Sequence, residues 1–341
     1  MATRTTAVGT VVAHGAARMP ALGFGTWQAK PGEVSAAVRI AIQSGFRLID
    51  CARIYRNEAE IGAAIAAAID AGDIKDRQEL FVVSKLWNTD HEPNRVEEAV
   101  RRSLADLKLS QLDLYLIHWP VAWRHPTPIG ATAYDNVSDY FPRNAAGGCD
   151  EAPGVTLEHT WAAMEALVDL GLVKHIGLSN CNAEQTQRIW DFARIKPVAN
   201  QVECHVALPQ VALRALHEKL GMVTMAYCPL GIGMDGPEAA AVGLINAPEI
   251  VQLAKSCLGA DVTAADFLLR WNLLCGNVVL TKSVKPDRIR QAAALPGPCH
   301  DHQAFTDHLR EVTAVGQLLA RRVCNPTFFH VTAGPLFPLL D

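Results

Sequence analysis

The chain predicts a closed (β/α)₈ barrel, a TIM barrel, with one site at the C-terminal ends of its strands. Three observations lead there. Short apolar runs alternate with helical patterns along most of the chain, the rhythm of a parallel sheet. There are eight such runs, which favours a closed barrel over an open doubly wound sheet. Three of them also bring polar residues to their ends. FRLID at 46–50 ends on Asp50, with Tyr55 five residues on; LFVVSK at 80–85 ends on Lys85; LYLIH at 114–118 ends on His118. A buried parallel strand reads as continuous apolar sequence because helices cover both its faces. In a barrel, the residues just past such strands converge on one mouth.

Taken in order, residues 8–19 (VGTVVAHGAARM) read as a β-hairpin turning near His14-Gly15, a plug under the barrel. The strands follow at 21–25, 46–50, 80–84, 112–117, 173–178, 197–201, 222–227 and 277–281. Pro93 suits a first helical turn, and Val96, Val100, Leu104 and Leu107 then form one apolar stripe. Thr156 is an N-cap, Trp161, Met164 and Val168 face inward, and Gly171 ends that helix. The longest irregular stretch, 119–155, follows His118 directly and contains Trp123, Tyr140 and Phe141. Loops of that length are commonly functional, so a substrate-side lid is expected. After 293 the rhythm stops; 294–341 reads as one helix near 304–320 and a Pro-rich tail over the pocket. No linker interrupts 1–341, so a single domain is expected.

Composition narrows the class. The 341 residues are 50% hydrophobic and 19% charged, with a formal net charge of −4. That lacks the basic field of a nucleic-acid or membrane-surface partner. No stretch approaches the roughly 20 apolar residues of a membrane span. The start, MATRTT, has no apolar core after its charge, so a secretory signal is not expected. Nine cysteines are scattered singly with no CxxC, which suits reduced thiols in a cytoplasmic protein. Cys299-His300-Asp301-His302 has no distant partner pair and reads as a surface loop, so no metal is expected.

Four residues at one mouth can handle a proton. A free tyrosine has a pKa of about 10 and is a reluctant acid; an adjacent ammonium favours the phenolate and makes Tyr55 readier to donate. Lys85 supplies that ammonium, Asp50 holds it charged and oriented, and His118 offers a second polar hydrogen to a substrate oxygen. Such a site polarises a carbonyl and protonates it as it becomes an alkoxide. Taken singly, an Asp at a strand end is often a cap, a Tyr on the next helix often packing, and a His after a strand often a core residue. Four complementary roles at one mouth weigh against those readings.

With these residues in view, the sequence resembles the aldo-keto reductases over roughly 8–292. The matching segments are MPALGFGTW at 19–27, GFRLIDCARIYRNEAEIG at 45–62, VSKLW at 83–87 and LIHWP at 116–120. GLVKHIGLSN at 171–180, NQVECH at 200–205, YCPLG at 227–231 and TKSVKPDRI at 281–289 continue the series. The resemblance implies a barrel that binds NADP(H) across its mouth and reduces aldehydes, aldoses or ketones, with Tyr55 as general acid. It implies that Ser179, Asn180 and Gln201 hold the nicotinamide carboxamide and that Tyr227 stacks on the ring. Thr26 and Asp50 would lie beside the nicotinamide ribose, with Cys228, Leu230 and Val284 along the cofactor. Lys282, Ser283 and Arg288 would surround the 2′-phosphate. Cations at a helix N-terminus oppose its dipole, so an anion there accounts for them. Trp27, Trp87, His118, Trp119 and Trp123 would bind substrate.

The chain also departs from the family. Cys228 stands where Ser is common, Ile232 where a phosphate-contacting Ser often follows, and Gln291 and Ala292 where Glu and Asn often meet adenine. Val206 replaces a usual Pro. Two other readings compete with a reductase acting as a monomer on a small carbonyl. One is an NADPH-binding sensor barrel with little turnover, which the intact quartet argues against. The other is a barrel for phosphorylated substrates, which predicts a Gly-rich loop after strands seven and eight; this chain has Lys-Ser-Val-Lys there.

Overall fold

Two antiparallel strands, β1 (Thr10–Val12) and β2 (Arg18–Pro20), precede the barrel and pair with Val11 opposite Met19. Gly15, at φ 66°, makes the turn between them. The computed structural model describes residues 9–27, 29–128, 137–232, 243–295, 302–321 and 323. Eight parallel strands follow: β3 (Leu22–Gly25), β4 (Leu48–Asp50), β5 (Phe81–Leu86), β6 (Leu112–Ile117), β7 (Val173–Ser179), β8 (Ala199–Glu203), β9 (Val223–Tyr227) and β10 (Val278–Thr281). They close in chain order, with β10 pairing back onto β3.

Helices α1 (Glu33–Gln43), α2 (Glu58–Asp70), α3 (Pro93–Leu107), α4 (Val137–Tyr140), α5 (Leu157–Asp169), α6 (Ala183–Phe192) and α7 (Val211–Leu220) connect the strands. They are followed by α8 (Pro248–Leu258), α9 (Ala264–Leu274), α10 (Pro286–Ala293), α11 (His302–Asp307) and α12 (Leu309–Leu318). Local sequence sets several boundaries. Pro93 sits in the first turn of α3, and the Thr156 side chain accepts from the His159 N–H at the start of α5. Among the described residues no helix is long and apolar enough to cross a membrane.

Alternate strand residues face two cores. Leu48, Val83, Leu114 and Leu116 point inward and meet Ala13, Ala17 and Met19 of the hairpin, which plugs the barrel floor. Ile49, Val82, Tyr115 and Ile117 point outward against Val38, Ile61, Val96, Val100 and Trp161 of the helices. Every residue of β5 and β6 is buried, the polar Ser84, Lys85 and Asp113 among them, as strands covered on both faces require. The α2–α3 contact is close at Gly62, where a Cβ would lie 2.6 Å from the Asp106 and Leu107 carbonyl oxygens.

The C-terminal region differs from expectation. The helix read near 304–320 is two helices, α11 and α12, divided at His308 (φ −104°, ψ 12°), whose ring bonds the Ala304 carbonyl. Val312 of α12 packs with Val206, Ile250 and Phe267 on the barrel's flank. The Val323 N–H donates to the buried Glu203 carboxylate (2.6 Å). Cys299, His300 and Asp301, and the tail beyond 323, lie outside the described residues.

Candidate active site

The ends of β4, β5 and β6 bring Asp50, Lys85 and His118 together, and a short turn adds Tyr55. Lys85 is fully buried, and its Nζ lies 2.8 and 2.9 Å from the two Asp50 carboxylate oxygens. The same nitrogen donates to the Cys51 carbonyl (2.8 Å) and to the Tyr55 hydroxyl (3.3 Å). A buried ammonium is tolerable because it is paired and its hydrogens have acceptors. Gln201, 151 positions from Asp50 in the chain, donates its amide N–H to Asp50 Oδ1 (2.8 Å).

Tyr55 ends the 3₁₀ turn Arg53–Tyr55, which Arg56 closes in the left-handed region at φ 56°. Arg53 pairs with Asp106 of α3 and so ties this turn to the helix layer. The His118 N–H donates to the Leu86 carbonyl, and its own carbonyl accepts from Asn180 (2.9 Å). The His118 ring lies edge-on to Tyr55 (centroids 5.9 Å) and Trp87 (5.2 Å) and stacks on Trp119 (6.2 Å). Burial, then the Lys85 charge, hold its pKa well below the usual histidine value, so the imidazole is neutral. A neutral ring can donate one N–H to an oxygen without adding a second cation.

Asp50, Tyr55 and His118 open into a cavity of about 590 Å³, with Lys85 behind them, a small-molecule size. One side is aromatic: Trp27, Trp87, Trp119, Tyr140 and Phe141 line it. Trp123 does not. It is 1% exposed and lies behind the wall, edge-on to Trp87 at 5.6 Å, with its backbone N–H held by the Asn88 carbonyl (2.8 Å). Trp123 therefore supports the wall and offers a ligand no surface. Trp87 is fixed in turn by its Nε1–H donating to the Tyr140 carbonyl (2.7 Å). Ile54 and Arg56 complete this side. Sequence reading passed over both, although each adjoins Tyr55 in the same turn.

The opposite side carries more hydrogen-bonding groups. Ser179, Asn180, Gln201, Tyr227, Cys228, Leu230 and Lys282 line it, from the ends of β7 to β10. Ser179 Oγ donates to the Gln201 carbonyl (2.9 Å), and Tyr227 OH donates to Asn180 Oδ1 (2.7 Å), which steadies the half-buried tyrosine ring. Asn180 and Cys228 hold left-handed backbone at φ 58° and 48°. Thr26 is buried and outside the cavity wall; its hydroxyl donates to the Asp50 carbonyl (2.8 Å). Ser283, Val284 and Arg288 stand beyond Lys282, around the start of α10, with Arg288 exposed and Val284 packed on the outer core. Gln291 is turned aside, its amide donating to the Asp266 carboxylate (3.0 and 3.2 Å). Among the described residues no three His, Cys, Asp or Glu side chains are grouped to hold a metal ion.

A barrel with this quartet at its mouth is a carbonyl reductase in kind, and residues 21–295 match the model of the Aldo/keto reductase family. The chain belongs to that family. It is 44% identical over 284 residues to aldo-keto reductase family 1 member A1-A of Danio rerio, covering 80% of each chain. To aldo-keto reductase family 1 member A1 of Homo sapiens it is 41% identical over 286 residues, 82% of each. Among solved structures, the aldose reductase of Schistosoma japonicum aligns with a TM-score of 0.76 at 36% identity, covering 91% of this chain and 93% of that one. The aldose reductase of Giardia lamblia aligns at 0.80 and 32%, covering 94% and 98%.

Proposed function

We propose that the chain reduces aldehydes and aldoses to alcohols with NADPH, with Tyr55 as general acid. The observation that carries this reading is the continuous contact from Asp50 through Lys85 to the Tyr55 hydroxyl, beside a neutral His118 on the same cavity wall. When bound, NADPH supplies the hydride that reaches the carbonyl carbon. The chain's own residues do the rest. His118 orients the carbonyl oxygen with a neutral N–H, and Tyr55 passes its hydroxyl proton to that oxygen as negative charge develops there. Lys85 stabilises the phenolate left behind, and Asp50 holds Lys85 in place.

The polar half of the cavity fits the cofactor. It supplies amide and hydroxyl groups at Ser179, Asn180 and Gln201, a flat ring at Tyr227, and a cationic end at Lys282. Ser283 and Arg288 stand by a helix N-terminus where a 2′-phosphate gains charge-assisted hydrogen bonds. Trp27, Trp87 and Trp119 form the substrate wall. In keeping with the acidic net charge, we assign no nucleic-acid partner, and we take the chain as one barrel domain acting as a cytoplasmic monomer. The test is NADPH oxidation by purified protein with a simple aldehyde. Tight NADPH binding without turnover would instead favour a sensor barrel.

A further inference from the structure

One side chain stands between the His118 backbone and the Tyr227 ring, which line different parts of the cavity. β6 ends at Ile117, so the His118 carbonyl lies past the strand. The Asn180 side-chain amide donates to it at 2.9 Å. The same nitrogen donates to Ser179 Oγ (3.1 Å), and Asn180 Oδ1 accepts from the Tyr227 hydroxyl (2.7 Å). We propose that Asn180 is a positioning residue for the reduction: it holds His118 in register with Tyr227, and its side-chain nitrogen serves that link and not the cofactor. This role rests on the reductase reading, in which His118 meets the substrate oxygen and Tyr227 the nicotinamide ring. The link itself does not.

Chemistry fixes the direction of each bond. A carbonyl only accepts, so the amide nitrogen must face His118. The amide oxygen then faces Tyr227, whose hydroxyl hydrogen points to it. Ser179 Oγ gives its hydrogen to the Gln201 carbonyl (2.9 Å), so it accepts from Asn180. Both hydrogens of the Asn180 amide are thus engaged within the protein. Oδ1 keeps a second lone pair, so Asn180 can offer a ligand an acceptor and not a donor.

The backbone bends to make this link. Asn180 is left-handed at φ 58°, and its main-chain N–H turns to the Gln201 carbonyl of β8 (2.9 Å), leaving the side chain to reach β6. Asn and Asp tolerate that backbone better than most residues, and of the two only Asn carries both donors and an acceptor. The residue is 8% exposed, so a partner lost here is costly to replace. The His118 ring packs on Tyr55, Trp87 and Trp119, yet it moves if its backbone does. A misplacement of about 1 Å can slow a reaction by roughly 10²-fold.

Two substitutions test the link. Asn180→Gly keeps the left-handed backbone, which glycine adopts without steric cost, and removes the whole side chain. Tyr227→Phe keeps the ring and removes only the hydroxyl. Single-turnover reduction of a simple aldehyde by the preformed NADPH complex should slow by about tenfold or more in Asn180→Gly and by a smaller factor in Tyr227→Phe. NADPH affinity, read by fluorescence titration, should stay within about threefold of wild type in both. Adding Tyr227→Phe to Asn180→Gly should slow the reaction little further, because the hydroxyl acts through a side chain already gone. An unchanged single-turnover rate with NADPH affinity down about tenfold, or two effects that simply add, would overturn the proposal. A third readout needs neither cofactor nor turnover. In labelled, cofactor-free protein, Tyr227→Phe should shift the NMR signals of the Asn180 side-chain amide and the His118 carbonyl carbon. Unshifted signals would also overturn it. A wild type without turnover would count against the reductase reading and unshifted signals against the link, so the two fail separately.

Discussion

Lys85 Nζ stands 3.3 Å from the Tyr55 hydroxyl and 2.8 Å from the Asp50 carboxylate, so one buried ammonium touches both the proton donor and its own counter-ion. The remaining residues of the site are arranged around that contact.

Tyr55→Phe removes only the phenolic proton. Turnover should fall by about 10²–10⁴-fold, the usual contribution of a general acid, while NADPH affinity stays close to wild type. Steady-state kinetics paired with fluorescence titration of NADPH check this; a variant keeping more than a tenth of wild-type turnover would remove Tyr55 from the acid role.

Lys85→Met should cost more activity than Asp50→Asn. The methionine takes the charge from Tyr55 and leaves Asp50 as a buried carboxylate with, among the described residues, the Gln201 side chain still donating to it, so stability should fall too, by about 3–5 kcal/mol. Asp50→Asn leaves the ammonium beside the hydroxyl but less firmly held. Comparing kcat and urea midpoints of the two variants tests the ordering, and the reverse order would exchange their roles.

Arg288→Ala should weaken NADPH by about tenfold or more and leave NADH nearly unchanged, because a charge-assisted hydrogen bond is worth roughly 1.5–3 kcal/mol and only NADPH carries the 2′-phosphate. Titrations of both cofactors by tryptophan fluorescence decide it. Equal losses would show that Arg288 does not read the phosphate.

Acid should destabilise the protein in part through His91, whose burial lowers its pKa to about 3 from a free value of 6.5. The folded chain binds fewer protons there than the unfolded chain. Stability is therefore complete above about pH 6.5 and declines as pH falls toward 3. Between pH 6.5 and 4.5 this one group contributes on the order of 2 kcal/mol. His91→Gln should thus show a smaller drop in unfolding free energy over that range; an unchanged drop would assign the acid limb elsewhere.

Gly62→Ala should destabilise by about 1–3 kcal/mol or more, because backbone atoms of α3 stand where the methyl group would go and cannot turn aside as a side chain can. Thermal unfolding measures it, and a neutral result would mean that α2 and α3 separate easily.

Much of this protein is legible in one dimension because a closed parallel barrel leaves a local trace. Strands buried on both faces, such as Phe81–Leu86 and Leu112–Ile117, are mostly apolar, with Ser84, Lys85 and Asp113 as buried polar exceptions, and closure brings the polar residues at their ends to one mouth. That is why Asp50, Tyr55, Lys85 and His118 could be picked out together. Side-chain direction and long-range partners leave no such trace. Only the folded chain turns Trp123 behind Trp87, ties Gln201 to Asp50 across 151 positions, turns Gln291 to Asp266 and divides the C-terminal helix at His308. It alone sets Asn180 between Tyr227 and His118. Periodicity records whether a residue is buried; which atoms it meets depends on how separate strands and loops come together in three dimensions.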